Sequence, residues 1–533
     1  MLFNSYAFVL VFLPLTLAGF YALSAAASGR AGIAWLTAAS LFFYGWWNPA
    51  HLWVPLASAA VNFALARCIA GNPGGVERHR KALLGAGIVA NVAFLAYFKA
   101  VASPWFGAAP DATGAFSVAQ SIAIPLGVSF VTFRQITFLV DVYQQRIGLP
   151  RLSEYAFFLV FFPQLVMGPI VHYRQIAPQL ARPGFGRIDM NDLACGLAIF
   201  VVGLAKKVLL ADSIGPYADQ VFQAAGEGHH VTLIDAWGGA IAFQFQIYFD
   251  FSGYADMAIG AARMFGVNLP VNFDAPHRAT DRFDFWRRWH ITFASFMRQY
   301  VFVPLTRNKW LPLSAPISLL LTVLLSGLWH GLAWTFVAWG LAQGAVMLGL
   351  HALRSLSRKS SFGPDPAARL PLPVRIGATF LTTCFLGVLF RSSDLGAVVT
   401  MFNGMLGAHG IVFPARIGRA WEAVVLPVVG ALGLSVPQLN AGDQYLGERD
   451  ALVLAVMAVV IWIFPATQRL FARVWTGLEA RPPRDVPRVR EGTLERRLKF
   501  ALDWRWAGFV AALLILTLLA LPGRGARFIY YQF

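Results

Sequence analysis

The stretch YAFFLVFFPQLVMGPIV (155–171) is apolar from end to end, yet it carries Pro163, Gly168 and Pro169. Arg146 and Arg151 precede it, and Arg174, Arg182 and Arg187 follow it. Proline interrupts helical hydrogen bonding. Basic loops gather on the cytoplasmic side of a membrane, so both flanks of this run belong to the same side and the run does not cross. Broken backbone at membrane depth is tolerated only against protein or a water-filled cavity. The stretch therefore predicts a re-entrant segment lining an internal cavity. Residues 290–305 pose the same problem, with basic groups on each side and Arg298 within, and predict an amphipathic helix on the cytoplasmic face or a second re-entrant piece.

The rest of the chain agrees with a membrane setting. Of 533 residues, 57% are hydrophobic and 13% charged, with 17 Trp and 45 Phe. Soluble domains run at about 45–50% apolar and about 25% charged. So many apolar side chains cannot hide inside a water-soluble globule, and disordered, collagen-like and disulfide-scaffold classes are excluded. Cys68, Cys195 and Cys384 lie far apart in apolar runs, with no CxxC or Cys/His ligand spacing, so they read as small buried apolar residues and no metal is expected. The net charge of +17 reads as cytoplasmic loop charge rather than as a nucleic-acid footprint.

Apolar runs from the N-terminal MLFNSYAFVLVFLPLTLAGFYALSA (1–25) to residue 521 predict an all-α polytopic protein with about ten to thirteen spans, the shorter runs being re-entrant or buried. Basic clusters at Arg67–Lys81, Arg278–Arg288, Arg354–Lys359 and Arg469–Lys499 mark further cytoplasmic loops. Residues 103–120 and 212–236 contain no Lys or Arg and read as external. On that assignment both termini lie outside. The first run lacks a basic n-region and a cleavage site, and reads as a retained span. No fixed-period repeat is present. Residues 466–505, rich in Arg, Pro and Glu, read as a cytoplasmic linker with a surface helix, leaving one membrane domain over 1–533.

Ionisable residues in membrane runs are costly, so each is a functional candidate. YFDFSGYADMAIG (248–260) holds Asp250, Tyr254 and Asp256 in an otherwise apolar helix. Six residues of separation place the two aspartates about 120° apart, so they need not share a partner. They either serve a site or bind neighbouring helices together. In residues 268–300, Phe283, Trp286, Trp289, Phe293 and Phe296 recur at three- and four-residue spacing among Arg282, Arg287, Arg288 and Arg298, with His290 directly after WRRW. Such a basic aromatic helix either anchors to headgroups or takes the phosphates and base of a nucleotide-like cofactor. In LLSGLWHGLAWTFVAWG (324–340), His330 sits between Gly327 and Gly331, which permit close approach of a substrate or another helix. Neutral imidazole in apolar surroundings is able to take a proton. HExxH, GxSxG, GxxxxGK[ST] and Rossmann fingerprints are all missing, which removes support for metalloprotease, serine hydrolase and ATPase readings.

These segments, with FFYGWWNP (42–49), PLGVSFVTFRQITFLVDVY (125–143), FFPQLVMGPIVHY (161–173), GLAKKVLLAD (203–212), FWRRWHITFASFMRQYVFVPL (285–305) and the terminal FIYYQF (528–533), closely resemble the membrane-bound O-acyltransferase superfamily. The likeness is to the bacterial branch that contains the membrane subunit of alginate O-acetyltransferase. It implies a ring of transmembrane helices around a funnel or tunnel. By the same resemblance His330 is the catalytic histidine and His290 the second family position. Acetyl-CoA is the implied cytosolic donor, with Arg287, Arg288, Trp286 and Trp289 as its binding face and Asp250, Tyr254 and Asp256 in support. The implied task is moving acetyl across the bacterial inner membrane to a separate periplasmic acetyltransferase. That partner places it on a polysaccharide, alginate foremost, with peptidoglycan, cellulose or another envelope polymer as alternatives. The external stretch 393–450, with Arg416, Arg419 and Glu422, is the expected docking surface. RNKWL (307–311) departs from the glycine-rich loop expected after Leu305. The rival class is a transporter without covalent chemistry, which explains broken helices and membrane aspartates equally well, although no inverted repeat supports it.

Overall fold

A computed structural model describes residues 1–46, 48–71, 77–101, 103, 105, 125, 127–307, 313–358, 369–412, 445–472, 474 and 498–521. Among these residues the regular structure is helical throughout. Six helical stretches are long and apolar enough to cross a membrane: Ala7–Ala26, Pro49–Ala70, Glu77–Val101, Met190–Gly226, Trp334–Ser357 and Leu372–Arg391. Ala315–His330, Leu395–Met405 and Trp504–Ala520 are apolar but shorter. The protein is an all-α polytopic membrane protein. The expected ten to thirteen spans exceed this set for identifiable reasons. Gly29–Gly45 has 17 residues, and the run from 155 is broken into Leu152–Val160 and Phe162–Leu165. The long helix Leu233–Met264 dilutes its apolar character with Asp235, Asp250, Asp256 and Arg263.

That 32-residue helix is the inner post of the molecule, buried along nearly its whole length. Its closest neighbour is Met190–Ala205, and four glycines set the approach. A Cβ on Gly203 would lie 2.6 Å from the Gly253 carbonyl oxygen, and one on Gly260 would lie 2.5 Å from that of Gly196. Each helix carries its two glycines seven residues apart, so both contacts fall on one stripe and the backbones nearly touch. The aspartates follow the same seam. Asp250 pairs with Lys207 at 2.5 Å, while Asp256 pairs with Lys206 at 2.6 Å and accepts from the Thr467 hydroxyl at 2.8 Å. The two partners differ, as the angular spacing allowed.

The stretch that opened the sequence reading is buried and broken as expected. The helix Leu152–Val160 ends at Phe161, because the ring of Pro163 cannot accommodate the carbonyl four residues back. Residues 166–172 leave helical geometry although 161–171 are all buried. Their freed polar groups are satisfied from neighbouring elements. Ser40 Oγ accepts from the Phe162 N–H at 3.0 Å, and Thr292 Oγ1 accepts from that of Ile170 at 3.0 Å. Arg134, 1% exposed, spreads its guanidinium over the carbonyls of Phe130, Phe158 and Leu165 at 3.2–3.5 Å. This is irregular backbone held at depth by protein.

The single surface helix expected over the basic aromatic stretch does not form. The chain makes Arg282–Arg288 and Ile291–Met297, broken at Trp289 and His290, then continues as a π-turn and a short helix to Arg307. Of the expected stripe, Trp289, Phe293 and Phe296 are buried rather than turned toward headgroups, and Phe283 and Trp286 are half-buried. The spacing was helical, but tertiary packing buried the stripe. The expected docking residues Arg416, Arg419 and Glu422, residues 308–311 of RNKWL, most of the 466–505 linker and the terminal FIYYQF lie outside the described residues.

Candidate active site

His290 stands at the break between its two helices with φ 43° and ψ 53°, a left-handed conformation that a side chain bearing Cβ adopts only under constraint. The segment around Asn272 supplies that constraint. The Asn272 carbonyl accepts from the Ile291 N–H at 2.9 Å, and the Asp274 N–H donates to the Arg288 carbonyl at 2.9 Å. The Asn272 side-chain oxygen accepts from the Thr292 N–H at 3.2 Å and the Thr292 hydroxyl at 2.9 Å, and lies 3.2 Å from His290 Nδ1. A backbone N–H only donates, which identifies the amide oxygen and makes His290 Nδ1 the donor. In the neutral ring the lone pair is then on Nε2, which is buried and has no hydrogen-bond partner among the described residues.

His330 is the last residue of the Ala315–His330 helix, after which the chain turns extended at Gly331. Lys99 donates to the His330 carbonyl at 2.8 Å, and Ser103 Oγ donates to the Leu332 carbonyl at 2.5 Å, so one short segment clips the turn. The flanking glycines serve packing: a Cβ on Gly331 would lie 2.5 Å from the Phe336 ring. The imidazole is buried among Trp329, Phe390 and Trp339, with ring centroids at 4.4, 4.7 and 5.8 Å.

Both histidines pack on Phe293 and Trp329, and both line one cavity of about 50 Å³. That space holds a few water-sized groups. Trp286, Trp289 and Arg282 line it as well. Arg287 is exposed. Arg288 is buried against Asp284 at 3.0 Å and Asp274 at 4.0 Å. The four residues expected to form one cofactor face therefore divide, two tryptophans at the cavity and two arginines away from it. Asp250, Asp256 and Tyr254 are also elsewhere, the aspartates in their lysine pairs and Tyr254 stacked on Phe3 at 4.9 Å and bonded to the Met167 backbone. Sequence reasoning missed Asn272, Lys99 and the inward placement of Arg282. Lys99, a lysine inside an apolar run, was the one that carried a signal.

Comparison with known proteins supplies the family. Residues 91–387 match the membrane-bound O-acyltransferase family, a region that contains both histidines. The peptidoglycan O-acetyltransferase of Helicobacter pylori is 34% identical over 440 residues, spanning 77% of this chain and 81% of that protein. The probable alginate O-acetylase AlgI of Azotobacter vinelandii is 34% identical over 416 residues, spanning 76% and 78%. The teichoic acid D-alanyltransferase of Streptococcus thermophilus is more distant, 27% identical over 301 residues. With more than half its length matched by the family and such relatives covered over most of theirs, this chain belongs to the membrane-bound O-acyltransferase family.

Proposed function

We propose that this acyltransferase takes acetyl from cytosolic acetyl-CoA and passes it across the bacterial inner membrane for O-acetylation of a cell-envelope polymer, working with a periplasmic acetyltransferase. The observation that carries the reading is one small cavity shared by His290 and His330, forty residues apart in sequence. Its volume of about 50 Å³ is room for a few water-sized groups, enough to take an acetyl group. His330 acts as general base: it takes the proton of the attacking hydroxyl as the oxygen bonds to the thioester carbonyl carbon. Collapse of the tetrahedral intermediate expels the CoA thiolate, which recovers that proton as the thiol. His290, with its proton on Nδ1, presents a lone pair and suits accepting a hydrogen bond that orients the donor. Trp286 and Trp289 wall the cavity, while exposed Arg287 is free to meet the donor's phosphates from the cytoplasm.

The acceptor is alginate or peptidoglycan, the polymers that the names of the more similar, O-acetylating relatives carry. The reading is tested in liposomes with acetyl-labelled acetyl-CoA on the cytoplasmic face and either polymer, with its periplasmic acetyltransferase, on the other. Wild type should release CoA and deliver label to one polymer, and His330→Ala should do neither. Equal turnover in both removes His330 from the mechanism. No CoA turnover with either polymer overturns transfer from acetyl-CoA to these acceptors.

A further inference from the structure

Arg282 is 4% exposed and lines the cavity of the two histidines. It donates to Thr383 Oγ1 at 2.6 Å and to Gln343 Oε1, both neutral acceptors. Its Nε has no partner among the described residues. Its guanidinium lies over the Phe285 ring at 4.3 Å, and the adjacent Asp281 supports its charge only through space, since that carboxylate caps the N–H groups of Phe283 and Asp284 and pairs with Arg354 at 3.0 Å. Among the described residues, no Asp or Glu lines the cavity, and a second lining donor, Trp286 Nε1, also lacks an acceptor. Arg134 shows how this protein settles a structural buried arginine, since its Nε and both terminal nitrogens all reach backbone carbonyls. Arg282 is not settled in that way. A buried cation whose hydrogen-bond acceptors are all neutral is costly, and a site that keeps one beside spare donors is complementary to negative charge.

We propose that Arg282 makes this cavity an anion site of acetyl size and is a catalytic residue, the group that receives the oxyanion of the tetrahedral intermediate. The proposal rests on the acetyl-transfer reading. As the acceptor oxygen bonds to the carbonyl carbon, the carbonyl π pair moves onto its oxygen and the hydroxyl proton goes to His330. Arg282 stabilises that charge until the carbonyl re-forms and the thiolate departs. A neutral His290 whose Nε2 holds a lone pair cannot donate there, which leaves the guanidinium as the charged donor in the cavity. A donor aimed at charge that develops only in the transition state speeds the chemical step rather than binding.

Two measurements on the full-length protein in detergent test this. The first is saturation-transfer NMR with acetate, a carboxylate of acetyl size, against its neutral isostere acetamide, and it needs no turnover. Wild type should bind acetate saturably and acetamide not. Arg282→Met should weaken acetate by about tenfold or more, the loss of a charged hydrogen bond, and Arg282→Lys by less. The second is acetyl-CoA turnover in the liposome assay. Arg282→Met should lower kcat by about 10²–10³ with KM for acetyl-CoA little changed, and Arg282→Lys should recover part of it. Equal binding of acetate and acetamide by wild type overturns the proposal, as does acetate binding that Arg282→Lys and Arg282→Met leave intact. Selective acetate binding with no turnover by wild type instead overturns the acetyl-transfer reading while the anion site stands.

Discussion

At the scale of single residues, the site depends on side chains that fix other side chains. Asn272 holds the His290 proton on Nδ1 and pins the backbone that follows that strained residue, while the Asp274 N–H pins the backbone before it. Asn272→Ala removes the acceptor, frees the ring to turn and should cut acetyl-CoA turnover by about 10- to 100-fold, the usual loss on removing an orienting outer partner. Asn272→Asp keeps an acceptor oxygen and should retain much of the rate; equal activity in all three proteins would remove Asn272 from the site. The ion pairs behave differently. Lys206→Met strands the Asp256 carboxylate, 1% exposed, and should cost about 3 kcal/mol, seen as a lowered Tm in detergent, whereas Lys206→Met with Asp256→Leu should recover most of it. The histidines were legible in the sequence because WRRWHI and GLWHG are distinctive motifs. Asn272 was not, because a polar residue in a loop gives no sign of what its oxygen will meet.

At the scale of elements, helix existence was legible from apolar runs, and the break in 155–171 from its prolines and flanking arginines. The buried fate of Trp289, Phe293 and Phe296 was not, because periodicity specifies an apolar face without saying whether lipid or protein covers it. The glycine seam gives a sharp test. Gly203→Val places atoms against the Gly253 carbonyl, where only backbone can yield, and should abolish a monodisperse folded peak on gel filtration. Gly85→Ala, with nothing within 4 Å of its Cβ, should leave the peak unchanged. At the start of Leu395–Met405, outside the long spans, the Asp394 carboxylate accepts from the Ala397 N–H at 2.9 Å and the Ser393 hydroxyl at 2.7 Å, which holds its pKa below the usual value. A folded pKa below the unfolded one contributes stability above the ordinary carboxylate range and loses it as pH falls through the folded value. Asp394→Ala should therefore cost about 1 kcal/mol at neutral pH, and the gap in Tm from wild type should close below about pH 4.

At the scale of the whole molecule, loop charge predicts which ends of the helices face the cytoplasm. In a background with the native cysteines replaced, Gly228→Cys should react with a membrane-impermeant maleimide in intact cells, and Arg182→Cys only after permeabilisation. The opposite pattern would invert the topology and with it the direction of acetyl passage. The number of spans was the least legible feature, because a helix such as Leu233–Met264 is covered by protein on all sides and need not be apolar enough to face lipid. One contact described above also bears on how the enzyme is made. Lys99 and His330 are separated by 231 positions. At the usual synthesis rate of about 5–20 residues per second, the lysine leaves the ribosome roughly 10 to 50 s before the histidine that it will hold. Throughout that interval the chain has neither the turn nor the closed pocket, because the lysine must wait for the second half of the polypeptide to reach it.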